Sequence, residues 1–459
     1  MDALDLARWQ FGITTVYHFL FVPVTIGLSL LVAILQTVWL RTGNPAHLQA
    51  TKFFGKLFLI NFAMGLVTGL VQEFQFGMNW STYSRFVGDI FGAPLALEAL
   101  ITFFLESTFL GLWIFGWDKL PRLVHAACIW LVAIGAAMSA YLILAANSFM
   151  QWPVGFTVRG PRAELTDFGA LLTNQVALAT FPHVLLASWL TGAVLMACVA
   201  AWHLKRRRNA EVFRVPMRLA LVGTVVVGAG ILFTGDNLAK VMVRTQPMKM
   251  AAAEALYESA QPASFSLFTI GNLSGKEPIF SIDVPGLLSF LSTGSFDGKV
   301  EGVNNLQAQY RQRFGPGDYA PYIPLAYWSF RFMIGFGMLA VLVALVLLWL
   351  TRRGRLPENE WVWRAAIWAV VLPFLANSFG WLFTEMGRQP WIVFSQLKTA
   401  AAVSPTNGVG HVAASLAAFT LLYGVLAVIE VRLLLKYARQ DPPEPEPATE
   451  DDGPLAFAY

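Results

Sequence analysis

Charged residues are scarce in this chain, which excludes most soluble proteins of its length. Asp, Glu, Lys and Arg make up 13% of the 459 residues, whereas hydrophobic residues make up 56%. The mean hydropathy is +0.57. In soluble globular domains about a quarter of the residues are charged. This composition therefore predicts an integral membrane protein with many spans.

Other features that would indicate a different class of protein are also missing. The N-terminus lacks a charged segment followed by a short apolar run and a small-residue cleavage site, so we expect no cleaved signal peptide. The two cysteines, Cys128 and Cys198, fall in different apolar stretches, which favours packing residues over a disulfide or a metal site. The net charge of +4 comes from short basic loops, and nucleic acid is not an expected partner.

Long apolar runs dominate what is present. About 20 apolar residues cross the hydrocarbon core as a helix, so these runs predict an all-α, polytopic membrane bundle of about nine transmembrane helices. The predicted spans are 11–40, 53–76, 93–117, 124–148, 174–203, 217–238, 322–350, 362–385 and 409–436. A long loop, 239–321, separates helices 1–6 (residues 1–238) from helices 7–9 (residues 322–436). The acidic tail, 437–459, is predicted to be disordered.

Basic residues indicate the orientation of the spans. Alternate short loops hold most of the Lys and Arg residues, including the run 205–208, and such loops remain cytoplasmic. This pattern predicts an external N-terminus and a cytoplasmic C-terminus. Loop 239–321 is therefore expected outside, with a helix-like patch around Met248–Glu258.

Two carboxylic acids, Glu98 and Glu106, interrupt the third apolar span. An ionisable side chain is costly in hydrocarbon, so such residues usually face a cavity, a partner or a cofactor. Eight residues of helix correspond to about 12 Å of depth and a net rotation of about 80°. Both acids can therefore share one broad face, with Glu98 in the outer half of the membrane and Glu106 deeper.

Ligand-type residues interrupt other spans at the depth of Glu98. These are His18, His183, Arg331, Met333 and Glu385. Each also has an ordinary interpretation, such as an interhelical hydrogen bond for a histidine or core packing for a methionine. Their shared depth favours a buried redox or binding centre that receives protons from the cytoplasm through Glu106. Further residues that could line this route are Ser107, Ser139 and Asn147.

Haem suits this set of residues. His and Met are its common axial ligands, and an apolar helical bundle can hold the macrocycle. The chain has no adjacent His-His pair and no His-x-x-x-Tyr element, which argues against a haem–copper centre. Two of the six histidines, His47 and His125, are assigned to loops, which leaves too few for bis-His ligation of several haems.

Several sequence runs are similar to those of a known family. The runs are RWQFGITTVYH (8–18), QEFQFGMNW (72–80), FFLEST within 98–117, ANSFMQWPVG (146–155), WSFRFM (328–333) and EMGRQPW (385–391). With these runs in order and in matching topology, the chain resembles subunit I of cytochrome bd-type quinol oxidases.

The resemblance implies three cofactors: a low-spin haem b, a high-spin haem b and haem d. His183 and Met333 match the axial ligands of the low-spin haem b, with Arg331 beside it. His18 and Glu385 match ligands of the high-spin pair and are assigned to that pair jointly. Glu98 matches a residue of the same site. Further cofactor-binding residues implied by the resemblance are Trp381, Arg388 and Trp391.

The resemblance also implies roles in proton and quinol chemistry. The residues that match a proposed proton route from the cytoplasm are Glu106, Ser107 and Ser139. Lys249 and Glu254 match quinol-site residues in the external loop. The short interval between Lys249 and Arg331 corresponds to the form of this loop that lacks a C-terminal insert.

The implied function is that of a respiratory terminal oxidase in a bacterial cytoplasmic membrane. As a quinol:oxygen oxidoreductase, it would oxidise menaquinol or ubiquinol at the outer face and reduce oxygen to water with cytoplasmic protons, generating proton motive force without pumping. Glu98 and Glu106 are the expected catalytic acids. The implied partners are subunit II, the lipid bilayer and small accessory subunits.

Two alternatives remain open from the residues alone. A proton-coupled secondary transporter would use the two acids of the third span, but it would be expected to show an inverted repeat, and none is evident. A haem-b anchor that passes electrons to a soluble dehydrogenase would need neither Glu106 nor so large an external loop.

Overall fold

The computed structural model describes residues 2–272 and 277–444, and helices dominate this part of the chain. Nine helical segments in it are long and apolar enough to cross a membrane, which confirms the all-α fold and the predicted number of spans. The helices are α1 (Ala3–Thr42), α2 (Pro45–Met78), α3 (Ser81–Leu97), α4 (Phe104–Phe115), α5 (Arg122–Gln151), α6 (Phe168–Leu172), α7 (Gln175–Lys205), α8 (Ala210–Thr245), α9 (Pro247–Ala253), α10 (Leu287–Thr293), α11 (Val303–Phe314), α12 (Ile323–Leu350), α13 (Glu360–Trp368), α14 (Val371–Met386) and α15 (Val409–Ala438). A π-helical turn, Glu98–Phe103, joins α3 to α4 in one continuous span.

Short strands occur only in connecting segments of the described residues. Three antiparallel pairs form: β1 (Phe156–Arg159) with β2 (Arg162–Leu165), β3 (Phe265–Gly271) with β4 (Pro278–Val284), and β5 (Trp391–Val393) with β6 (Leu397–Lys398). The pair β3–β4 lies in the long segment between α8 and α12, together with α9, α10 and α11.

The helices extend beyond the predicted spans. Helix α1 begins at Ala3 rather than at residue 11, and the third span begins at Ser81 rather than at residue 93. Helix α8 continues to Thr245, so the first residues of the predicted loop 239–321 are helical. Hydropathy detects only the apolar part of a helix, whereas hydrogen bonding continues into its polar ends.

Two histidines assigned to loops lie in helices instead. His47 lies in the first turn of α2, and His125 lies in the first turn of α5, where it is buried. The His125 ring hydrogen bonds Gln36 and the carbonyl oxygen of Trp113, so a polar network explains its burial. Part of the predicted disordered tail is also helical, because α15 extends to Ala438. Residues 445–459 of that tail lie outside the described residues.

The connections form two ends of the bundle with different characters. One end, here called the loop end, holds residues 79–80, 152–174, 246–272, 277–322 and 387–408, and these segments bond to one another. For example, the backbone N–H of Ser404 donates to the carbonyl of Asn79 at 2.9 Å, and that of Phe394 donates to Met150 at 2.9 Å. The opposite end, here called the basic end, holds the short turns 43–44, 116–121, 206–209 and 351–359.

Helices α1 and α7 make an unusually close contact at two glycines. A Cβ atom on Gly27 would lie 2.8 Å from Cα of Gly192, and one on Gly192 would lie 2.6 Å from Cα of Gly27. Both helices run from the loop end to the basic end. His18 and His183 each lie nine residues before their glycine, so the contact places the two histidines at the same depth.

Candidate functional site

The His18 side chain is oriented by a Thr-Gly pair on α2. Its Nδ1 atom lies 2.9 Å from Oγ1 of Thr68. Because the Thr68 hydroxyl donates to the carbonyl of Met64 at 3.0 Å, its oxygen is available to accept the Nδ1 proton. The neutral ring then keeps its lone pair on Nε2, as metal-ligating histidines do. Gly69 makes room for this ring, since a Cβ there would lie 3.3 Å from Cε1.

His183 repeats the same arrangement on a second pair of helices. Its Nδ1 atom lies 3.3 Å from Oγ1 of Thr234 on α8, and that hydroxyl donates to the carbonyl of Gly230 at 3.0 Å. A Cβ on Gly235 would lie 3.3 Å from Cε1 of the His183 ring. Neither threonine was among the residues predicted for the site, although a Thr-Gly pair within an apolar span is a usable signal for this support.

Met333 lies at nearly the same depth as His183. Gly228 of α8 packs against Val341 of antiparallel α12, where its Cβ would approach a valine methyl to 2.4 Å. From this contact toward the loop end, Gly235 lies seven residues beyond Gly228 on α8. Met333 lies eight residues beyond Val341 on α12, at about the same depth as Gly235 and the His183 ring beside it. The thioether sulfur lies against Gly380 of α14, 3.0 Å from where a Cβ would be. Small residues therefore leave space around both candidate ligands.

Aromatic side chains surround these ligands. Phe332, Phe336 and Phe379 form a cluster with ring centroids 5.0–5.9 Å apart beside Met333. Trp381 contacts Phe19 edge to face at 5.0 Å, next to His18. Flat, apolar walls and two histidines held through Nδ1 fit a planar macrocycle with an axially ligated metal.

One face of α5 carries partners for the acids of the site. Ser139 donates to Oε1 of Glu98 at 2.8 Å, and Asn147 donates to Oε1 of Glu385 at 3.1 Å. On the same face, Gly135 packs against the Glu106 side chain. Gln151 accepts a hydrogen bond through Oε1 from Nζ of Lys249 at 3.2 Å. The four α5 residues, here called the α5 stripe, extend over about 24 Å of one helix.

The stripe separates residues that the sequence grouped into one proton route. Ser139 bonds to Glu98, and Asn147 bonds to Glu385, rather than to Glu106. Ser107 is exposed and donates to the carbonyl of its own helix neighbour Phe104. Glu106 is buried, and its Oε1 atom has no hydrogen-bond partner among the described residues. Such an orphaned oxygen calls for a proton or a water molecule.

Glu385 is half-buried at the loop end of α14, where it pairs with a buried arginine. Its second carboxylate oxygen accepts from Arg388, and that guanidinium also donates to the carbonyl of Ile392. Trp391, also predicted as a site residue, is buried, and its ring stacks on Tyr319 at 5.7 Å. The indole nitrogen of Trp391 has no partner among the described residues.

The two predicted quinol-site residues are buried and point to different helices. Glu254 forms a bidentate ion pair with Arg331, at 2.6 and 3.3 Å, and Arg331 also donates to the carbonyl of Ser266. Lys249 donates to the carbonyl of Thr384 at 2.9 Å and lines a cleft with Arg388, Trp391 and Tyr310, among others. The segment after α8 is thus tied to both α12 and α14.

Burial changes the proton affinity of both side chains. It lowers the pKa of Lys249 to about 7, with Glu385 opposing this shift. Burial also raises the pKa of Glu254, whereas the Arg331 guanidinium acts in the opposite direction. A buried amine and a buried carboxyl that can exchange protons near neutral pH are suited to acid–base chemistry.

Comparison with known proteins gives a consistent result. The family model described as cytochrome bd terminal oxidase subunit I matches residues 6–442. A Bacillus subtilis (strain 168) protein named cytochrome bd ubiquinol oxidase subunit 1 is 48% identical, over 95% of this chain and 93% of its own. An Escherichia coli (strain K12) protein named cytochrome bd-II ubiquinol oxidase subunit 1 is 38% identical, over 96% and 97%. A solved structure of bd oxidase from Geobacillus thermodenitrificans has a TM-score of 0.88 at 28% identity, over 96% of this chain and 99% of that chain.

Proposed function

This chain belongs to the family of cytochrome bd terminal oxidase subunit I, and from that premise we propose that it is the haem-bearing subunit of a respiratory quinol oxidase. It is a multi-pass membrane protein and part of a quinol:oxygen oxidoreductase. The observation that carries the proposal is the matched support of His18 and His183, each held through Nδ1 at the same depth.

The donor set fits three haems of the types expected from the sequence. His183 and Met333 would hold the low-spin haem b, and His18 and Glu385 would hold the high-spin haem b and haem d between them. Bound haem supplies electron transfer and an iron that binds oxygen. The protein orients the two histidines through Thr68 and Thr234. It also provides apolar surroundings that exclude water.

Quinol would be oxidised at the loop end, which we assign to the outer face. The cleft beside Lys249 opens between α9, α11 and the segment that follows α14. Lys249 and Glu254 would receive the two quinol protons, and their hydrogen bonds to Thr384 and Arg331 link them to the helices that carry Glu385 and Met333.

Protons for oxygen reduction would come from the basic end, which we assign to the cytoplasm because short basic loops stay there. Glu106 lies on that side of Glu98, and its free oxygen can accept a proton from water. The α5 stripe then leads toward Glu98 and Glu385. Proton release at one face and proton uptake at the other generate a proton motive force without pumping.

The partners follow from the family and the surface. We propose that subunit II and small accessory subunits cover exposed apolar side chains such as Phe74, Leu100 and Phe233 in a bacterial cytoplasmic membrane. The Bacillus subtilis and Escherichia coli relatives are named for ubiquinol, and we propose menaquinol or ubiquinol as the substrate of this chain.

A reduced-minus-oxidised visible spectrum of the purified complex tests this proposal. We expect bands of haem b together with the chlorin band of haem d, and quinol-dependent oxygen consumption. A colourless preparation would exclude the oxidase and favour a transporter. Haem b bands without a chlorin band or oxygen consumption would instead favour an electron-transferring anchor.

A further inference from the structure

Helix α15 buries a carboxylic acid that the proposed mechanism does not use. The helix packs mainly against α1 and α2, and its buried residues are Val412, Tyr423 and Glu430. Spacings of eleven and seven residues place all three on one face. Glu430 is only 8% exposed. Because hydrophobic contact alone would favour an apolar residue here, the acid needs an explanation.

Glu430 is buried without a charged partner. Among residues 2–272 and 277–444, no basic side chain forms an ion pair with it, and no side chain donates a hydrogen bond to it. The acids Glu254 and Glu385 of the site, in contrast, are each paired with an arginine. An unpaired acid inside a span is most stable when protonated, so it is suited to take up and release a proton.

Tyr423 connects the same helix face to the His18 support. Its hydroxyl donates to the backbone carbonyl of Thr68 at 3.1 Å, and the Thr68 hydroxyl bonds to His18. The Tyr423 ring lies 4.8 Å from that of Tyr17. The Tyr17 hydroxyl is buried and has no hydrogen-bond partner among the described residues, which leaves a place for a water molecule.

Other polar groups lie at the level of Glu430. It is seven residues, or about 10 Å, nearer the basic end than Tyr423. On α2, seven residues from Thr68 toward the basic end, lies Asn61, whose side-chain amide donates to the hydroxyl of Thr25 on α1 at 2.8 Å. The seam between α15, α1 and α2 therefore contains polar groups at two successive levels.

The depth of Glu430 suits exchange with water at the basic end. It lies eight residues, or about 12 Å, from the end of α15 at Ala438. A helix of 30 residues is about 45 Å long, and the hydrocarbon core is about 30 Å thick. Glu430 is thus a few ångströms inside the apolar layer. Tyr437, whose ring lies 3.9 Å from the Lys56 ammonium, is one further step of about 10 Å toward the basic end.

We propose that Glu430 loads protons into a second track, which runs between α15, α1 and α2 from the basic end to the His18 side of the site. A proton from water protonates the carboxylate, and the acid later releases it to water molecules held by Asn61, Tyr17 and Tyr423. No other bond changes, and the hydroxyl groups act only as hydrogen-bonding stations. The inference rests on the proposed function, which gives this proton its destination.

Glu430→Gln in the complete purified complex tests the track. We expect several-fold slower quinol-driven oxygen consumption and proton uptake from the basic-end side of vesicles, with unchanged anaerobic reduction of the complex by quinol. The redox infrared difference spectrum should lose the carbonyl band of a protonated acid. Glu430→Asp should restore part of the rate. The matched control is Glu211→Gln, which neutralises an exposed acid at the same end and should leave rate and spectrum unchanged.

Separate outcomes refute the track and the oxidase. A wild-type complex without quinol-driven oxygen consumption refutes the oxidase. If the wild type is active and the Glu430→Gln variant shows unchanged proton uptake and an unchanged infrared band, the track is refuted and the oxidase is not. If the glutamine variant does not assemble, Tyr423→Phe removes only a hydroxyl; wild-type proton uptake in that variant overturns the track.

Discussion

Replacing Gly27 by alanine is expected to force α1 away from α7, because no side chain can move aside to make room. A Cβ atom at this position would lie 2.4 Å from the carbonyl oxygen of Ser188 and 2.8 Å from Cα of Gly192. Both obstacles are backbone atoms. Since ordinary Cβ contacts begin at 3.4 Å, the helices must separate by about 1 Å.

Two opposing contributions determine the size of the effect. Alanine in a helix is favoured over glycine by about 0.5–1 kcal/mol. Overpacking a well-filled contact costs about 1–3 kcal/mol. We therefore expect a net destabilisation of about 1–2 kcal/mol. The separation would also displace His18 and His183, because both histidines are positioned from this contact.

Thermal unfolding and the visible spectrum of the purified complex measure these two effects. The matched control is Gly223→Ala on α8, where a new Cβ would meet only Ala193 of α7, at 3.9 Å. That variant should be more stable by about 0.5–1 kcal/mol, with unchanged absorbance. If Gly27→Ala behaves like this control in both measurements, close packing of α1 on α7 does not set the depth of the histidines.

Further variants address single groups. Met333→Leu should change the low-spin haem bands and spare the others; unchanged low-spin absorbance refutes that assignment. Thr234→Val and Thr68→Val should each weaken haem retention about 10–100-fold at a different site, and equal loss of every band in both variants would contradict separate supports. Glu106→Gln should slow oxygen consumption with all haems retained, and a normal rate would exclude it from the proton route. Because the folded pKa of Lys249 is about 7 and its ordinary pKa is 10.5, the unfolded chain binds more protons between these values, so stability should rise with pH there. Lys249→Met should remove that rise in the thermal midpoint between pH 7 and 9, and an identical slope would refute the shift.

The number of spans could be predicted because length and apolarity respond to the bilayer itself. The ends of the helices could not, since charged residues such as Asp5, Arg85 and Asp89 lower the hydropathy of Ala3–Gln10 and Ser81–Gly92, although these residues continue their helices. The position of His125 was assigned wrongly for a related reason. Its polarity suggested a loop, but Gln36 and a backbone carbonyl satisfy it inside the bundle.

Depth along the chain also indicated which ligand-type residues belong together, because helical rise converts residue number into distance. It could not indicate which side chains touch, since that depends on the rotation of each helix against its neighbours. Ser139 and Asn147 were expected to line the proton route, and the structure adds that their direct partners are Glu98 and Glu385. The Thr-Gly pairs are visible in the sequence, but which histidine each threonine supports depends on the same interhelical register and needs the structure.

The π-helical turn at Glu98–Phe103 changes the relation between the two acids of the third span. An uninterrupted α-helix would rotate Glu106 about 80° away from Glu98, but a π turn accommodates one extra residue and removes about 100° of rotation. The two side chains then lie within about 20° of each other. Their contacts agree with this, because they meet Ser139 and Gly135, one turn apart on the same face of α5. Ser139 and Gly135 are four residues, or about 6 Å, apart along α5. The acids are therefore aligned along one helix partner, which shortens the distance over which a proton must pass from Glu106 to Glu98.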